Sequence, residues 1–339
     1  AAPRSSGLVV VSQGDAIGPF GEAGVLVGDG PVFGAYVGVP DVAPALALRA
    51  DVFPGLAVPS PDGIADVIVA FQPAPGHTLG LRTGLAYALE RKTNVEAGDN
   101  GILAAGYGAV LGHSWDGDGG DLADTSLRAD VETFRRTERF EVIAEAPIGV
   151  GWELRHRSLW TLAPRVQLGA FARLRRDPLD VDAPAANRSA EGSAWAMSAE
   201  LGPRIRATDR VTVAVSAMVA SESWSLARLD SPPRREGFGS EGTLRLPGVR
   251  AAIEARPAEW LDVRMGFQGA YLVREAADGA GNEAVVMGRE IAWSSGVGFR
   301  WEGLRLDGRL QATLLRDGPD AVGGKAPGLF TTVSASYAF

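Results

Sequence analysis

The sequence contains no cysteine, which excludes a disulfide framework and any thiolate-based metal or redox centre. Lysine is nearly absent: Lys92 and Lys325 are the only two, so positive charge is almost all arginine. The formal net charge of −8 argues against a nucleic-acid binder, whose domain is expected to be basic. Histidine occurs three times, as His77, His113 and His156. Long apolar runs are missing too. The longest uncharged stretches, Val67–Leu81 and Asn100–Trp115, carry glycine or proline and fall short of the ~20 apolar residues a membrane-spanning helix needs. No secretory leader is visible; the start, Ala1-Ala2-Pro3-Arg4, fits what a signal peptidase leaves behind, so export from the cytoplasm is expected.

What the sequence has is alternation, with helical periodicity nearly absent. Apolar residues recur at every second position, the spacing of a strand with one face in an apolar medium. In 139–153 the set is Phe140, Val142, Ala144, Ala146, Ile148, Val150 and Trp152; in 158–174 it includes Trp160, Leu162, Val166, Leu168 and Leu174. Val211 to Val219, Leu261 to Phe267 and Ile291 to Trp301 repeat the pattern, while the opposite faces carry Gln167, Glu200, Arg206, Gln268 and many arginines. A two-sheet sandwich also alternates. Soluble strands, however, are usually ~5–6 residues long, and membrane-spanning ones need ~9–11. The alternating segments here run 13–17 residues, which favours a barrel whose apolar face meets lipid.

The connections sort by length. "RATDR" (206–210), "RPAEW" (256–260) and "EG" (302–303) are short; 175–192, 226–241, 275–286 and 317–326 are long and polar. In outer-membrane barrels short turns lie on the periplasmic side and long loops outside. Tryptophans gather near both: Trp152, Trp160, Trp260 and Trp301 beside the short turns, Trp195 and Trp224 beside the long loops. They are expected to form a membrane-interface girdle, because an indole joins a polar edge to an apolar body.

The last ten residues, FTTVSASYAF, keep the alternation to the end, with Tyr337 and Phe339 on one face and no charge from Ala326 onward. This resembles the carboxyl-terminal signature of Gram-negative outer-membrane β-barrels, whose last residue is typically Phe with an aromatic or apolar residue two positions earlier. Ala335 and Thr331 stand where that family usually carries larger apolar residues. The resemblance covers the pattern from about residue 78 onward. It implies a barrel in the bacterial outer membrane, of porin or transporter type, with Tyr337 and Phe339 as the assembly signal. Its implied partners are outer-membrane lipid, lipopolysaccharide, the barrel-assembly machinery and a small solute, with no nucleic acid.

Strands are expected at 43–53, 64–71, 78–90, 101–113, 125–136, 139–153, 159–174, 193–206, 210–226, 242–256, 260–274, 287–301, 303–316 and 327–339. The expected fold is therefore all-β: a transmembrane antiparallel up-and-down β-barrel of about 14 strands, with 12–16 compatible, over residues 41–339. The Gly-rich residues 1–40 read either as a plug or as extra strands; Val32–Val39 with a partner from 7–28 would raise the count to sixteen. This parity puts the acidic stretch WDGDGGDLAD (115–124) on the side of the short turns.

Catalytic motifs are few. GHSWDG (112–117) fails the G-x-S-x-G elbow at Asp116, and GYGAVLG (106–112) misses the dinucleotide glycine pattern. His156 and Ser158 lie two apart, so on one strand they share a face and the imidazole could take the hydroxyl proton. Outer-membrane phospholipases and lipid A deacylases resemble this pair, but the register puts it beside a short turn and no third residue completes it. Asp116, Asp118, Asp121 and Asp124 offer oxygen ligands for Ca²⁺ without EF-hand spacing, and read as a solvated acidic loop first. No metal or cofactor is expected.

Function then falls to the inward side chains Arg165, Arg173, Arg204, Arg250, Arg264, Asp262, Arg305, Asp307 and Arg309, with Glu200 and Glu254 among them. They either form neutral cross-strand ladders that stiffen the wall or leave an arginine surplus along a water-filled path, favouring anionic or polar solutes. The expected function is a channel or transporter for small solutes, hydrophobic or anionic, and not an enzyme. Hydrophobic-substrate transporters of the long-chain fatty-acid type are similar in size and strand number, but their Asn-Pro-Ala signature is absent. The alternatives are a lipid hydrolase using His156 and Ser158, and a structural barrel within an envelope complex.

Overall fold

The computed structural model describes residues 6–14, 18–27, 31–38, 63–94, 98–117, 119–138, 141–183, 188–228, 239–277, 282–310 and 330–338. Among them every regular element is a strand: β1 (Ser6–Gly14), β2 (Gly18–Val27), β3 (Val32–Gly38), β4 (Gly63–Ala74), β5 (His77–Asn94), β6 (Gly98–Asp116), β7 (Leu122–Glu138), β8 (Glu141–Ala163), β9 (Val166–Pro178), β10 (Val181–Ala183), β11 (Arg188–Thr208), β12 (Val211–Arg228), β13 (Ser240–Ala258), β14 (Leu261–Ala277), β15 (Glu283–Trp301), β16 (Leu304–Leu310) and β17 (Phe330–Ala338).

All pairings are antiparallel. Each strand from β1 to β9 pairs with the next, β9 pairs with β11, and the order continues to β17. β17 then pairs back with β1, from Ser6↔Ala338 to Ser12↔Thr332. The short β10 is a rung inside the β9–β11 connection, paired with the start of β11 and, through Asp182↔Glu145, with β8. Of the 17 strands in the sheet, removing β10 leaves sixteen in the ring, an even number as in single-chain bacterial barrels. That is two more than the fourteen assigned from the sequence, because β1, β2 and β3 all lie within residues 6–38. The expected strand 43–53 lies outside the described residues, as does Phe339. Tyr337 holds its place in the ladder, opposite Gly7 on one side and Leu304 on the other.

The two faces of this wall have opposite chemistry. One presents Leu162, Ile291 and Tyr107 at 65%, 64% and 62% exposure; the other holds Glu153 and Asp262 at 3% and 0%. A water-soluble fold does the reverse. Reach shows which face is concave. Arg264 on β14 meets Asp307 on β16 at 2.7 Å, and Arg250 on β13 meets Glu200 on β11 at 2.7 Å. Arg245 on β13 likewise meets Glu290 on β15 at 2.6 Å. Each pair skips a strand. Strands two apart lie ~9.5 Å from one another, a gap that an arginine and an acid leaning together close, and a wall concave on that face brings them nearer. The charged face is the inside, and the apolar face is the outside.

One turn differs from the sequence pattern. Glu141–Ala163 is a single strand of 23 residues, and the chain reverses at Pro164–Arg165, where the alternation predicts an unbroken strand 159–174. The cause is register. Trp160↔Leu168 and Thr161↔Gln167 share faces, and a shift then precedes Ala163↔Val166. That bulge keeps the even-numbered residues outward on both arms, so the alternation runs through the turn in phase. The same shift precedes the turns after β4, β11 and β13. The turns at Asp209–Arg210, Glu259–Trp260 and Glu302–Gly303 fall within the short connections expected from the sequence.

Moving the turn also moves the aromatic girdle. Trp260, stacked on Phe299 with ring centroids 6.0 Å apart, lies at the turn side with Trp301 and Trp160. Trp152 belongs to the opposite rim, where it packs edge to face on Trp195. Trp224 is on the inner face, against the buried cluster Leu179, Ala190 and Leu226. The thirteen steps along the strand from Trp195 to Thr208 rise roughly 30 Å at ~3.3 Å per residue and a tilt of ~40°. Two aromatic rims at that spacing bracket a bilayer core.

Candidate functional site

The inner wall is built from charge pairs that run sideways. Near the turns, Asp262 accepts hydrogen bonds from Arg256 Nε at 3.1 Å and Arg300 Nε at 2.7 Å. Arg264 and Arg305 share Asp307, at 2.7 and 2.6 Å, and Arg264 also stands 3.6 Å from Glu254. On β11–β13, Glu200 accepts from Arg250 Nη1 at 2.7 Å and from the Ser216 hydroxyl, while Arg250 Nε donates to Gln268 at 2.9 Å. Toward the loops, Glu153 takes Arg155 and, at 2.7 Å, Arg173; Arg175 pairs with Asp177 at 2.6 Å.

Six of the nine expected lining residues, Arg173, Arg250, Arg264, Asp262, Arg305 and Asp307, thus stand on the inner face with partners. Leaving a part-buried guanidinium unpartnered is costly, and Glu153, Glu200 and Glu290 take up Arg173, Arg250 and Arg245, which reduces the arginine surplus. Arg165 is not on a strand: it sits in the turn, exposed, 3.6 Å from Asp209. Arg309 lies opposite Gly296 on β15 and Thr332 on β17.

Arg204 is different. It donates to the neutral Gln167 Oε1 at 3.1 Å, and among the described residues neither it nor Arg206 forms an ion pair. Both lie where residues 119–121 fold over the inner ends of β8 and β9. Thr161 Oγ1 donates to Gly119 O at 3.0 Å, Gln167 Nε2 donates to Gly120 O at 3.3 Å, and Thr161 N–H donates to Asp121 Oδ1 at 2.6 Å. The backbone N–H of Arg206 donates to Arg165 O at 2.8 Å. A cavity of about 230 Å³ opens among these groups. A trough of about 650 Å³ shares Arg204 and Thr212 with it and runs over Ala214, Ala252, Gly266 and Gly296 to Arg264 and Asp307. Sequence reasoning placed Arg206 on the polar face without singling it out, and it missed Thr161 and Gly119–Gly120. Their role comes from folding of a connection, for which no periodicity exists.

Of the acidic stretch, Asp118 lies outside the described residues, and the other carboxylates do not converge. Asp124 is held by Arg157 Nε at 2.5 Å and the Ser114 hydroxyl at 2.6 Å, and Asp121 by Thr161. Among the described residues no group of three or more His, Asp or Glu is placed to hold a metal ion. His156 and Ser158 lie within β8, on the outer face with Leu154 and Trp160, rather than beside a turn. His156 Nδ1 shares a hydrogen bond with Thr125 Oγ1 at 2.9 Å, and Ser158 Oγ is enclosed without a partner among the described residues. The imidazole is therefore not positioned to take the serine proton.

No protein-family model matches the chain, and no curated protein matches it. Among solved structures it is similar to the alcaligin outer-membrane receptor FauA from Bordetella pertussis (8% identity, 91% of this chain and 68% of that chain, TM-score 0.47). It is also similar to CdiB from Acinetobacter baumannii (10%, 99% and 60%, 0.46) and to the toluene transporter TodX from Pseudomonas putida (11%, 100% and 90%, 0.43). The sixteen-strand ring, the exposed apolar band between aromatic rims and the charged interior define a transmembrane β-barrel.

Proposed function

We propose that the protein sits in the bacterial outer membrane and passes small solutes through its ring, with the turns toward the periplasm. The strand count carries this reading. An eight-stranded barrel is filled by its own side chains, whereas sixteen strands leave room for an aqueous channel. The described inner charges support it, since they pair with the next strand or the next but one and so lie along the wall. The trough over Ala214, Ala252, Gly266 and Gly296 is another stretch of wall without bulk. Reconstitution in a planar lipid bilayer is expected to give discrete conductance steps. A preparation shown to be folded by circular dichroism and heat-modifiable gel migration, yet electrically silent, would overturn the proposal.

A further inference from the structure

We infer that the turn-side mouth of the barrel is a binding site for a small oxyanion, a carboxylate or a phosphate, held by Arg204, Arg206 and Arg165. The inference rests on the solute-passing reading for access through the ring, but the site itself stands on local geometry. Elsewhere on the inner wall nearly every described arginine meets a carboxylate. Here three arginines line one 230 Å³ cavity, and among the described residues no carboxylate lines it.

Three described acids, Asp209, Asp121 and Glu254, stand near the site, and none of them lines the cavity. Asp209 is 3.6 Å from Arg165, but its side chain is 89% exposed, so solvent screens the pair. Asp121 lies outside the lining with its Oδ1 turned to the Thr161 backbone N–H, and Glu254 faces Arg264 at 3.6 Å. Three cations around one space repel each other, and an anion between them relieves that repulsion. The guanidinium fork also matches the two-oxygen edge of a carboxylate or phosphate.

The surroundings hold the cations in place. Gln167 ties Arg204 to Gly120, and the Arg206–Arg165 backbone hydrogen bond fixes the turn against β11. Thr161 and Thr212 add hydroxyls to the lining. The cavity is large enough for a small hydrated anion, and the shared Arg204 and Thr212 open it to the 650 Å³ trough. Arg204 and Arg206 are solvent-exposed, so binding is weak and reversible, as a site on a conduction path requires.

The test uses the full chain refolded in detergent, titrated separately with inorganic phosphate and with acetate, and followed by ³¹P or ¹³C line broadening. Saturable binding of at least one anion is expected, weakened at least tenfold in Arg204→Gln/Arg206→Gln and unchanged in Arg289→Gln, whose guanidinium stands over the Tyr271 ring on the outer wall. The two arms distinguish phosphate from carboxylate. Should the double variant fail to fold, Arg206→Gln alone carries the comparison, with at least threefold weakening expected. Equal binding by wild type and variant, or no saturable binding of either anion, overturns the site. A barrel that conducts but binds anions independently of these arginines removes the site and keeps the channel. Arginine-dependent binding in a barrel that passes no current keeps the site and removes the channel.

Discussion

Trp152 and Trp195 meet edge to face, with centroids 5.9 Å apart and ring planes at 88°. They come from strands that are not neighbours: β9 runs between them, and both residues lie opposite its Arg176. The Arg176 guanidinium stands 5.8 Å from the Trp195 ring centroid. Two indoles and a guanidinium at one level of the outer wall suit a headgroup region, where apolar bodies and polar edges are both satisfied.

Single-tryptophan variants reconstituted with brominated lipids test this arrangement. Trp195 and Trp160 are expected to be quenched most by bromines near the headgroups and less by bromines at the bilayer centre. Trp224, packed inside against Leu226, is expected to resist lipid quenching at every depth. Strong quenching of Trp224 would mean that the faces are exchanged on β12.

Ile253 and Ala252 are adjacent on β13 and face opposite ways; Ile253 is 41% exposed on the outer wall, and Ala252 shares the inner face of Arg250 and Glu254. Ile253→Arg is expected to destabilise the barrel by ~2–4 kcal/mol, the cost of arginine near the middle of the lipid face. Ala252→Arg, with water available, is expected to cost far less. Urea unfolding in lipid vesicles measures both, and equal costs would contradict the assigned faces.

The Arg264–Asp307 bond crosses β15 above Gly298, where an added Cβ would lie 2.7 Å from Asp307 Oδ1. Gly298→Ala is therefore expected to push Asp307 off Arg264. The loss is about 1–2 kcal/mol, that of one charge-assisted hydrogen bond with partial solvent access. Asp307→Asn is expected to cost a similar amount, and the double variant less than the sum, since both remove one interaction. Strict additivity in thermal unfolding would show that the glycine does not serve this contact.

His156→Ala and Ser158→Ala are expected to leave phospholipid acyl release at background, because the histidine bonds Thr125 instead of the serine. Reconstituted protein and a fluorescent phospholipid suffice. Release above background in wild type that either substitution abolishes would restore the hydrolase alternative.

The faces of the wall were legible in the sequence because lipid imposes its demand at every second residue: Leu261, Val263 and Met265 read outward, and Asp262 and Arg264 inward. The ring size was less legible. β1 and β2 are rich in glycine and small residues, so their alternation is faint, and the bulge at Thr161–Ala163 hid a turn by keeping both arms in phase. Arg204 could be placed on the inner wall from its position alone. That it lacks a carboxylate partner, while Arg250 has Glu200 two strands away, depends on stagger between strands, which alternation leaves undetermined. The fold of 119–121 over Thr161 and Gln167 depends on three hydrogen bonds between segments about forty residues apart.

Contacts that skip a strand also have a mechanical meaning. A curved wall under lateral pressure from the bilayer can flatten only if alternate staves separate on the inner side. Between β11 and β16 that movement has to stretch Arg250–Glu200, Arg245–Glu290 and Arg264–Asp307 together. These bonds act as struts across the inside of an arch, and the arc they span is a stiff rib. The mouth cavity, whose Arg204 and Arg206 rise from β11 at one margin of that rib, borders a segment whose curvature changes little when lipid composition or tension does.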